Sequence, residues 1–99
     1  MTAADFRTSI DRLLGHVGHW EQSRWAHPPT RADTVYALVQ RLADLSADAE
    51  GRPHRRVPRV SDLILADQLR VMADDLLAVA PAEVLEAAAS AVSTVRGTL

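Results

Sequence analysis

Apolar side chains recur along most of this chain at intervals of three and four residues, the spacing that gathers them on one face of an α-helix. The clearest stripe runs through residues 60–80, where Leu65, Leu69, Met72, Leu76 and Ala80 align and Ala73 and Leu77 widen the same face. Three further stretches show the same period. Phe6, Ile10, Leu13, Leu14 and Val17 predict a helix over 2–17, with Thr2 as its N-cap and Asp5 three residues on. Gly15 and Gly18 each weaken its last turns by about 1 kcal/mol relative to alanine, so the helix should end there.

Val35, Leu38, Val39, Leu42, Leu45 and Ala49 predict a helix over 30–50, capped by Thr30, with Asp33 in its first turn and Gly51 placed to end it. The third helix, 61–80, should start at Ser61 and be irregular until Leu65. Val84, Leu85, Ala88, Ala91, Val92 and Val95 predict the fourth over 82–96, after a break at Ala80 and Pro81. A connection that short predicts that the third and fourth helices lie antiparallel.

Residues 18–29 fit neither the helical nor the strand period and hold both tryptophans. This connection, with a short helix at its centre, is expected to fold back and plug one end of the bundle with large rings. Packing is therefore the first reading of Trp20 and Trp25, and a platform for a partner the second. The whole chain, 1–99, reads as one all-α domain, a compact four-helix bundle in up-down-up-down order. In that order the tryptophan connection and the connection at 52–59 fall at opposite ends, which argues against one combined site.

Composition changes this picture in a few places. All eleven basic residues are arginine, and residues 52–59 carry a charge of +4 against −2 for the chain, leaving −6 elsewhere. The bulk is mildly acidic with one basic strip, so only that strip could attract a polyanion. The absence of cysteine removes disulfides, thiolate chemistry and Cys-based zinc sites. No stretch approaches the roughly 20 apolar residues of a membrane span, and MTAADFRTSIDR has acids where a signal peptide is basic and then apolar. A cytoplasmic protein without a membrane partner is the expectation.

Three kinds of chemistry are conceivable. His16 and His19 share a helix face and His27 follows on the folded-back segment, a set that could ligate a metal; polar capping and ordinary surface histidine compete with that reading. RLLGHVGHWEQ, residues 12–22, resembles a helix of the DinB-like and mycothiol-dependent bundle family, in which a histidine from an apolar helix ligates a metal. Members bring further histidines from later helices, and the third and fourth helices here have none, so the resemblance implies a shared helix pattern and no cofactor.

The second candidate is an anion or nucleic-acid site at Arg52, Arg55, Arg56 and Arg59, which could neutralise about four phosphates. Against it, the fourth helix offers mainly alanine, serine and valine where base-reading side chains are needed, and Asp44, Asp48, Asp74 or Asp75 could pair the arginines instead. The third is catalysis. Asp74 and Asp75 are adjacent and point about 100° apart on a helix, and Ser61, Ser90 and Ser93 have no histidine in predictable reach, so an enzyme is disfavoured.

Ile64 and Val71, seven residues apart on the far face of the third helix, suggest a second apolar contact beyond the core. With 47% hydrophobic residues, the chain carries more apolar surface than one short core covers. The expectation is a helical interaction module that self-associates or docks another protein through Trp20, Trp25, Ile64 and Val71.

Overall fold

The computed structural model describes residues 2–99, and among them every regular element is helical. The order is α1 (Thr2–Val17), α2 (Gln22–Ala26), α3 (Thr30–Ala49), α4 (Leu65–Val79) and α5 (Ala82–Thr98), with a single 3-10 turn, Asp62–Ile64, leading into α4. The all-α bundle expected from the periodicity is the fold observed, and α2 is the short helix inside the tryptophan connection.

The buried stripes are those the period marked. Phe6, Ile10, Leu13 and Val17 from α1 meet Val35, Leu38, Val39 and Leu42 from α3, Leu65, Leu69, Ala73 and Leu76 from α4, and Leu85, Ala88 and Val92 from α5 in one core. Extensive packing joins α1 to α5 and α3 to α4, and lesser contacts between α1 and α4 and between α3 and α5 close the ring. The alanines of α5, with Ala88 fully buried, let a neighbouring backbone come close.

Local stops follow the chemistry of their residues. Gly51, at φ +67°, ends α3 in a Schellman motif: the Arg52 amide donates to the Ala47 carbonyl at 2.8 Å and the Gly51 amide to Asp48 at 3.2 Å. Ser61 adopts an extended backbone and its hydroxyl accepts from the Leu63 amide at 3.2 Å, so it caps the 3-10 turn and not α4 itself. Thr30 is the first helical residue of α3, one place inside the cap position, which Pro29 occupies.

Two connections depart from the expected topology. Ala80 and Pro81 are both extended, at ψ 140° and 166°, so the chain leaves α4 at an angle and α5 does not pack along it. The expected side-by-side antiparallel pair is corrected on that ground. Residues 52–60 do not form an end loop. They run back along the length of α3 as an extended strap, so that α4 starts at the same end of the bundle as α3 and the two run parallel. Val57 lies beside Tyr36 and Gln40, and Pro58 beside Gln68, while Ala43, Ser46 and Ala47 of α3 stand level with Met72 and Asp75 of α4. Strict up-down alternation therefore breaks at this crossover.

Candidate functional site

The strap has its own polar seam. The Tyr36 hydroxyl donates to the Val57 carbonyl, Gln40 accepts from the Val57 amide at 2.8 Å and donates to the Arg55 carbonyl at 3.0 Å, and Gln68 donates to the Pro58 carbonyl at 2.9 Å. An extended segment has no internal partners for its amides and carbonyls, and these three side chains supply them. The Val57 side chain, buried at 5% exposure, is the strap's apolar anchor.

The four arginines of the strap divide into two pairs. Arg52 is held by Glu50 at 2.6 Å, and Arg59 by Asp33 at 2.7 Å with its guanidinium carbon 5.0 Å from the centre of the Tyr36 ring. Arg56 also lies over Tyr36, at 5.9 Å, and neither it nor Arg55 has a carboxylate partner among the described residues. Thus the strip does not offer four free cations in a row, and a phosphate backbone would meet two. The acids that take part are Glu50, Asp33 and, more distantly at 3.9 Å from Arg59, Asp62; Asp44 and Asp48 instead face His54.

His54 bridges the strap to α3, its Nε2 2.6 Å from Asp48 and its Nδ1 3.7 Å from Asp44. The hydrogen bond to Asp48 raises the imidazole pKa above its ordinary value of 6.5; desolvation opposes it, and the charges of Asp44 and Asp48 add to the upward shift.

At the other end of α3, the tryptophans are packing residues. Trp20 and Trp25 are 6% and 1% exposed, with ring centres 4.9 Å apart in an edge-to-face pair. Arg24 and Arg31 stack over Trp20 at 5.1 and 5.5 Å, and Arg31 also donates to the carbonyls of Arg24 and His27 at 3.1 and 2.7 Å, closing the end of the five-residue α2. Neither indole offers a face to a partner, and their place in a docking surface is corrected: burying two large rings is how a short helix is held to the bundle. Because the strap returns along α3, its Arg59 end arrives beside this segment, and α2 packs on the 3-10 turn. The two connections therefore meet, contrary to the opposite-ends arrangement.

The histidine set is not gathered either. His16 lies edge-on to Trp20 at 5.5 Å and His27 ends α2, and among the described residues no three of His, Cys, Asp and Glu come together to hold a metal ion. The expectation of a His16, His19 and His27 site fails because the Trp20 ring stacks against His16 and α2 directs the chain onward to Pro28.

One surface stands out from the polar remainder. Val60, Leu63 and Val71 are 76%, 53% and 52% exposed, and they are the large apolar side chains that the described residues leave most open to water. Ile64, half-buried, lies among them. Val60 ends the strap, Leu63 and Ile64 lie in the 3-10 turn and Val71 lies in α4, so all four fall within residues 60–71. Sequence reading found Ile64 and Val71 and missed Val60 and Leu63, which precede the periodic part of α4.

Set against known protein families, characterised proteins and solved structures, the chain matches none. The likeness of residues 12–22 to a metal-binding bundle helix gains no support from that comparison. No helix is long and apolar enough to cross a membrane. What the chain can do is read from its own surface.

Proposed function

We propose that this protein is a helical interaction module that self-associates, a second copy docking on the face formed by Val60, Leu63, Ile64 and Val71. The observation that carries the reading is the concentration of open apolar side chains in residues 60–71, on a protein whose other large apolar groups are wholly or partly covered.

The sequence of that face favours a second copy as the occupant. Two α4 helices laid antiparallel about a two-fold axis between Asp67 and Gln68 set Val71 against Ile64 of the partner subunit, and the symmetry repeats the contact. The same register carries the acidic pair Asp74 and Asp75 toward the Arg59 end of the other copy's strap, so opposite charges meet at both rims. Covering what remains exposed contributes about 1 kcal/mol per apolar side chain, and the lost freedom of two bodies offsets part of it. The association is accordingly a weak to moderate one, in the micromolar to millimolar range.

Val71→Asp tests this reading. The variant should elute as a monomer by light scattering at concentrations where the unaltered chain assembles, with its far-UV circular dichroism unchanged. Loss of helicity together with assembly would put Val71 in the core, and assembly that persists would place the interface elsewhere; either result defeats the proposal.

A further inference from the structure

A second site lies beneath the strap, and its reading does not rest on self-association. Where residues 52–58 cross the seam between α3 and α4 they leave a half-open cavity of about 260 Å3. Ser46 lines it. This serine is 3% exposed, the one buried polar residue of the described core, and its hydroxyl has no hydrogen-bond partner.

A serine or threonine hydroxyl in a helix commonly donates back to the carbonyl four residues earlier, as the exposed Thr94 does to Ser90 at 3.0 Å, but the buried Ser46 does not. Its proton is free for something in the cavity. Val57 and Met72 supply apolar wall, and Arg55 and Arg56, the two strap arginines without a carboxylate partner, stand at the edge. Asp75 also lines the space and is its one acid.

We infer that this cavity binds a small anion bearing a short apolar group. The anionic group takes charge-assisted hydrogen bonds from Arg55 and Arg56, and an anion oxygen accepts from the Ser46 hydroxyl. The apolar part lies against Val57 and Met72. Arg52 lines the same space but is already paired to Glu50, so the recognition falls to its two neighbours. The volume holds several water molecules, or one ligand of a few heavy atoms with a charged end.

The test is a titration of the full chain with pentanoate, and separately with inorganic phosphate, followed in 1H–15N spectra. Pentanoate should give saturable shifts at Ser46, Ala47 and Val57 in the millimolar range, with phosphate about tenfold weaker for want of an apolar part. Arg55→Ala with Arg56→Ala should weaken pentanoate by about tenfold or more, and both side chains are exposed, so the fold is retained. Ser46→Ala should weaken it severalfold without lowering the melting temperature, because the unpartnered hydroxyl is removed with its binding role. No saturable shift up to tens of millimolar, phosphate binding as tightly as pentanoate, or an affinity untouched by the double arginine change would each overturn the inference.

Discussion

The Tyr36 hydroxyl donates to the main-chain carbonyl of Val57, twenty-one residues further along, and this one bond ties the middle of the strap to the middle of the bundle. It joins the first half of α3 to the segment that decides where α4 begins. Tyr36 is 7% exposed and Val57 5%, so water does not readily replace the donor. Tyr36→Phe should cost about 1–2 kcal/mol in chemical denaturation, the penalty for an unsatisfied buried carbonyl. The amides of residues 52–60 should exchange faster in the same variant, while those of α1 and α5 keep their protection; uniform loss across all helices would show that the strap is not a separate unit.

His54 makes the outer part of the strap sensitive to pH. Its pKa is raised in the folded protein by the hydrogen bond to Asp48, aided by the charge of Asp44. The protonated form is thus favoured in the folded state. The added stability is fully present below the unfolded value of about 6.5 and is lost as pH rises through the higher folded value. The His54 ring protons should titrate with a midpoint above 6.5, and Asp48→Asn should bring it down. A midpoint at or below the ordinary value in the unaltered chain would mean the bridge to Asp48 does not form in solution.

Two glycines of α1 and its end should respond in opposite senses to alanine. A Cβ at Gly18 would stand 2.6 Å from the Leu14 carbonyl oxygen, a main-chain atom that cannot move aside cheaply, whereas one at Gly15 meets nothing within 4 Å. Gly18→Ala should therefore lower stability by about 1–3 kcal/mol, as overpacking does. Gly15→Ala, in an exposed helical position, should raise it by up to about 1 kcal/mol. Thermal unfolding of the two variants separates these signs.

The helices were legible because each buries one stripe of a regular period, and α1 and α3 end within a residue of where Gly18 and Gly51 place their stops. The irregular start at Ser61 was legible too, since its cap serves a 3-10 turn. The strap's path was not. A segment with prolines at 53 and 58 carries no periodic signal, and its partners Tyr36, Gln40 and Gln68 sit in helices where a polar residue ordinarily means a wet surface. For the same reason, the arginines of the strap looked equivalent in sequence, and only the return along α3 sets Arg59 beside Asp33 while leaving Arg55 and Arg56 over the cavity. Val71 and Ile64 were legible as a second stripe because their seven-residue spacing leads directly into the periodic part of α4; Val60 stands on the strap, where no period exists, and Leu63 is out of step with that spacing.

Sedimentation equilibrium of the unaltered chain from micromolar to millimolar concentration tests the central claim most directly. The account predicts an apparent mass that rises from the 10.8 kDa monomer toward twice that value. A mass that stays at the monomer across the whole range would contradict it, and would leave Val60, Leu63 and Val71 as apolar surface without a second copy to cover them.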